Sequence, residues 1–68
     1  MIIEHAANAL WVRASYVGFS DACQEFRQAN DEGGIMVHYV DRGKLRCKSV
    51  RLSNEELANA IALAKTMH

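Results

Sequence analysis

The sequence predicts a small two-layer α+β domain with elements in the order β-α-β-β-α: a three-stranded antiparallel sheet with two helices on one face. Three observations lead there. Gly33 to Leu52, GGIMVHYVDRGKLRCKSVRL, reads as two alternating runs broken by Asp41-Arg42-Gly43, the pattern of a hairpin. Ser53-Asn54-Glu55-Glu56 is a capping box followed by apolar residues at helical spacing. Ala22, Cys23, Phe26 and Ala29 recur at that spacing after a breaking Gly18.

Taken in order, Ile2 to Val17 admits two readings. A helix would run through Ala7, Leu10, Ala14 and Val17 at three- and four-residue steps. Leu10 to Val17, LWVRASYV, is instead rich in β-branched and aromatic residues and alternates. The strand is preferred, with Leu10, Val12, Ala14 and Tyr16 on one face and Trp11, Arg13 and Ser15 on the other. Residues 1–8 are then a frayed end or the start of an extra element.

A helix follows from Asp21 to about Asn30, with Ser20 as N-cap and Asp21 where the helix dipole favours a negative charge. Asn30-Asp31-Glu32-Gly33-Gly34 stops it, two glycines being able to take positive φ.

The hairpin register turns on loop length. A three-residue loop, Asp41-Arg42-Gly43, pairs Val40 with Lys44. It places Ile35, Val37, Tyr39, Leu45 and Cys47 on an inner face, and Met36, His38, Val40, Lys44, Arg46 and Lys48 on an outer one. A two-residue loop pairs Val37 with Lys48 and His38 with Cys47, mixing the faces. A slip of one residue sacrifices the inside-outside pattern, so the three-residue loop is preferred. In the last helix Leu52 and Leu57 flank the capping box as a hydrophobic staple, and Leu57, Ala60, Ile61 and Ala64 form the inward stripe.

The order β-α-β-β-α resembles a split β-α-β unit, a truncated ferredoxin-like arrangement lacking its fourth strand. The resemblance is architectural and implies no activity. It does leave the strand over residues 10–17 with an unpaired edge. Leu10, Val12 and Ala14 would there accept a strand from a second copy, giving a homodimer, or from another protein.

A chain of 68 residues, half of them hydrophobic, is expected to form one domain, 1–68, near the size at which a core alone suffices. A fold so small gains from a second chain. Its 8 basic and 8 acidic side chains cancel, so bulk charge selects neither nucleic acid nor membrane. No apolar run approaches the roughly 18 residues of a membrane span, and the N-terminus lacks the basic region and apolar core of a signal peptide. The expected compartment is the cytoplasm, with Cys23 and Cys47 reduced and filling the core, since their spacing fits no zinc or redox signature.

No constellation for catalysis stands out. His38 is expected to point outward and Cys47 inward, so they cannot act as base and nucleophile, and no catalytic-serine or catalytic-cysteine context occurs. The histidines at 5, 38 and 68 lack metal-ligand spacing. Neither enzyme activity, metal nor cofactor is expected.

The expected working surface is the outer sheet face, where Trp11, Arg13, Met36 and His38 would join Lys44, Arg46 and Lys48. Tryptophan and arginine are enriched at interface hot spots. The chain therefore reads as a small non-enzymatic module binding a larger protein. In size and composition it resembles the phage-encoded accessory class, including inhibitors of host defence that block a target sterically. A nucleic-acid-binding module using the same face, or a subunit of a larger assembly, are the competing readings.

Overall fold

The computed structural model describes residues 2–67 and contains three helices and a two-stranded antiparallel sheet. The elements run α1 (Ile2–Val17), α2 (Phe19–Glu32), β1 (Ile35–Asp41), β2 (Lys44–Val50) and α3 (Asn54–Lys65).

The α+β class holds, but the expected first strand is a helix. Along α1, Ala6, Ala7 and Leu10 are buried, and Ile3, Ala14 and Val17 are half-buried against the core, a stripe with helical period. A strand would have sent the adjacent Ala6 and Ala7 to opposite faces. The alternation over residues 10–16 is not realised: Leu10 is buried while Tyr16 is 78% exposed. Leu10, Val12 and Ala14 consequently form no strand edge, and the ferredoxin-like comparison loses its first strand.

This helix is the hub of the fold, packing on α2, α3 and β1. Its small residues Ala6 and Ala7 are fully buried within the core. Helix α2 begins two residues before the expected Asp21, with Gly18 as N-cap at φ 92°, ψ 155° and no side-chain cap. Ser20 therefore lies inside the first turn. Ala22 and Phe26 are buried, with Cys23 and Ala29 half-buried beside them, as the stripe requires. At the far end Gly33 N and Gly34 N both donate to Ala29 O, at 3.1 and 2.9 Å.

Helix α3 carries the capping box in full: Ser53 N donates to Glu56 Oε1 at 2.9 Å and Glu56 N to Ser53 Oγ at 3.1 Å. Leu57, Ala60, Ile61 and Ala64 are buried, and Leu63 and Met67 pack at the edge of the core. Leu52 and Leu57 are both buried in the same core, as a staple requires.

The hairpin uses the two-residue loop. Asp41 pairs with Lys44, Val37 with Lys48 and Ile35 with Val50, leaving Arg42 and Gly43 as the turn. Their φ angles of 51° and 77° are both positive, as a type I′ turn demands. The expected register assumed a hairpin covered along its whole inner face. The core reaches only its base, where Ile35 and Val37 are buried and Val50 is half-buried, while β2 is exposed from Lys44 to Ser49. Mixing polar and apolar residues beyond that base costs little, so the turn geometry decides the pairing.

Candidate functional site

Residues directly opposite each other in an antiparallel pair share a face. The observed register therefore assembles Ile35, Val37, Tyr39 and Asp41 with Lys44, Arg46, Lys48 and Val50 on the helix side. Met36, His38 and Val40 share the other side with Leu45, Cys47 and Ser49. The expected sorting is corrected here: the cations do not stand opposite Met36, His38 and Val40.

On the helix side the base of the hairpin packs into the core, and further out the face turns polar. Lys48 Nζ lies 5.4 Å from the centroid of the Tyr39 ring, which in turn sits 6.0 Å from the ring of His5 on α1. Arg46 Nε approaches Asp41 Oδ2 at 3.8 Å, an exposed and weak ion pair.

The opposite face is open toward the tip. Val40 and Leu45 stand across from each other at 71% and 76% exposure. His38 and Cys47 are likewise directly opposed, and Cys47 is exposed rather than core-filling. Both described cysteines are free thiols. Among the described residues no hydrogen bond joins His38 to Cys47 and none to a third group orients either side chain, so the pair as placed there lacks the arrangement that nucleophilic catalysis needs.

A cleft of about 480 Å³ separates the hairpin from α1. One wall is the helix, with His5, Asn8, Ala9, Val12, Arg13 and Tyr16; the other is Met36 and His38 of β1. Arg13 is held in place by Glu25 of α2, its Nε donating to Oε1 at 2.7 Å and its Nη2 to Oε2 at 3.3 Å. The hydrogen bond with Glu25 raises the Arg13 pKa, the carboxylate charge adding to it.

The expected surface thus divides into separate pieces. Arg13, Met36 and His38 come together at the cleft, joined by Val12. Lys44, Arg46 and Lys48 lie on the helix-side face with Tyr39. Trp11 belongs to neither: its Nε1 donates to Met67 O at 2.9 Å, and it lines a shallow depression with Phe19 and Ala64. The sequence reading missed His5, Tyr16 and Tyr39 as neighbours of these residues. The signal was available for His5 and Tyr16, which with Val12 share the helical spacing of α1.

Among the described residues no group of three or more His, Cys, Asp or Glu side chains could hold a metal ion, and no helix is long and apolar enough to cross a membrane. His68 lies outside the described residues. No protein-family model, curated protein or solved structure matches the chain.

Proposed function

We propose that the chain is a small non-enzymatic module that binds a larger protein, with the hairpin as its contact element. The observation that carries this reading is the open distal hairpin, where the opposed Val40 and Leu45 are 71% and 76% exposed. An isolated two-stranded hairpin is marginal in water. One that projects beyond its core with an uncovered apolar pair gains most when another surface covers it. The basic residues Lys44, Arg46 and Lys48 alternate with Leu45 along β2, on the reverse face of the hairpin, and would orient the approach at longer range. A module of this size acts sterically, by occupying a site on its target, in the manner of phage accessory proteins that inhibit host defence.

The test compares capture of partners from host lysate by the wild type and by a Val40→Thr, Leu45→Thr double variant with an unchanged circular dichroism spectrum. A partner retained by the wild type and lost by the variant supports the reading; one retained equally by both places the contact elsewhere. Nucleic-acid binding through the basic residues is distinguished by a salt titration, since phosphate contacts make affinity fall linearly in log–log form. Trp11, the aromatic residue such a role would have used for stacking, is not on the face that carries the cations.

A further inference from the structure

We infer that the free edge of β2 is a docking rail for an extended acidic segment of the partner, added as a third strand. The inference rests on the protein-binding reading above and names the chemistry of its partner.

The edge is formed and open. Strand β2 has β1 as its sole neighbour in the sheet, and its residues from Lys44 to Ser49 are all exposed. The two-residue loop makes Asp41 and Lys44 a hydrogen-bonded pair, so alternate residues along β2 turn their N–H and C=O groups away from β1. Those residues are Leu45, Cys47 and Ser49. They offer a ladder of donors and acceptors for an incoming strand.

Charge selects the occupant. Five of the 8 basic side chains of this neutral chain lie between Arg42 and Arg51, a stretch without an acid. Lys44, Arg46 and Lys48 project from one face at two-residue intervals, and among the described residues the acidic group paired with them is Asp41, 3.8 Å from Arg46. A second copy of the chain is disfavoured there. Antiparallel pairing of β2 with itself about Cys47 sets Arg46 against the copy's Lys48 on both sides of the axis, and parallel pairing stacks each cation on its twin; like charges directly opposed are destabilising. A strand with acidic residues at alternate positions reverses the sign of every such pair. Its intervening residues would lie over Leu45, Cys47 and Ser49, which calls for small or apolar side chains. The same lysines that keep copies of the chain from joining edge to edge thus discriminate in favour of an acidic partner.

The experiment titrates the ¹⁵N-labelled chain with a capped heptapeptide alternating glutamate with valine or threonine. Controls are the same composition with the glutamates contiguous and a version with lysine for glutamate. The expected result is amide shifts and slowed hydrogen exchange at Leu45, Cys47 and Ser49, with the alternating peptide favoured about tenfold over the contiguous one. The triple variant Lys44→Glu, Arg46→Glu, Lys48→Glu should lose that peptide and gain the lysine version, which controls for a folding defect. Equal binding of alternating and contiguous peptides overturns the inference, as do shifts confined to the α1–β1 cleft or a concentration-dependent dimer joined at β2. A partner captured through Val40 and Leu45 while no peptide binds refutes the acidic strand alone; a peptide that binds while capture ignores Val40 and Leu45 refutes only their role.

Discussion

Asn30 and Leu52, 22 residues apart, are joined by two hydrogen bonds: Asn30 Nδ2 donates to Leu52 O at 2.9 Å, and Leu52 N donates to Asn30 Oδ1 at 2.7 Å. The carboxamide acts as a strand would, satisfying both polar groups of one buried residue. It ties the last turn of α2 to the segment between β2 and α3, so both ends of the hairpin leave from one fixed point.

Replacing Asn30 by Ala should leave the buried Leu52 N–H and C=O unpaired and destabilise the fold by roughly 2 to 3 kcal/mol. Chemical denaturation followed by circular dichroism measures it. A loss below about 0.5 kcal/mol, the bottom of the range for one hydrogen bond, would show that the amide pairing is not structural.

Gly18 and Gly34 are both held at positive φ, 92° and 124°, but their surroundings differ. A Cβ at Gly18 meets nothing within 4 Å, whereas at Gly34 it would lie 2.9 Å from Ser49 Oγ and 3.0 Å from Val50 O. Gly18→Ala should cost roughly 1 to 3 kcal/mol through backbone strain alone. Gly34→Ala should cost more, because the strand must also shift. In hydrogen exchange, Gly34→Ala is expected to expose the β1 and β2 amides selectively; equal effects of the two variants would contradict the packing argument.

Arg42 is the one described non-glycine residue at positive φ, 51°. Asparagine tolerates that conformation better, and Asn-Gly is the favoured type I′ pair. Arg42→Asn is expected to stabilise the protein by roughly 0.5 to 1 kcal/mol. A lower midpoint in thermal denaturation would mean that the arginine side chain contributes something the turn geometry does not capture.

The Arg13–Glu25 pair gives α1 and α2 a pH-dependent tie. The hydrogen bond from Arg13 holds the Glu25 carboxyl below its ordinary value of 4.5, loss of solvation opposing and the guanidinium charge assisting. Because the folded-state pKa is depressed, the contribution is fully present above the unfolded value and is lost as pH falls through the folded one. Glu25→Gln should therefore flatten the acid limb of the stability curve, and added salt should reduce the difference, both groups being exposed. An acid limb identical in both proteins would remove the pair from the account.

Legibility in the sequence followed the density of local signals. The start of the last helix was readable to the residue, because Ser53 and Glu56 make the contacts that short-range spacing specifies, with Leu52 and Leu57 both buried. Helix α2 was readable apart from its start, where Gly18 caps by conformation alone and Ser20 offered a misleading hydroxyl. Residues 10–17 went wrong because Val12, Arg13 and Tyr16 turn to the cleft and solvent, so their alternation recorded no burial. The hairpin was found but its register was not: the pattern argument needs a covered face, and only the base is covered. That one-residue difference relocated every expected site residue on β2. Trp11 was assigned by residue type, and nothing short-range announced its bond to Met67. The Asn30–Leu52 link was invisible for the same reason.

The uneven coverage of the hairpin bears on how such a protein changes over time. Substitutions at Ile35, Val37 or Val50 are constrained by the core, but apart from the Arg42-Gly43 turn those from Val40 through Cys47 touch little that folding depends on. The exposed distal strands are free to vary at little cost to stability. Were the proposed contact made there, a lineage carrying this chain would follow a shifting target by altering the distal strands while α1, α2 and α3 stay as they are. Divergence among relatives would then concentrate at the tip of the hairpin, around an invariant Gly34 and Asn30.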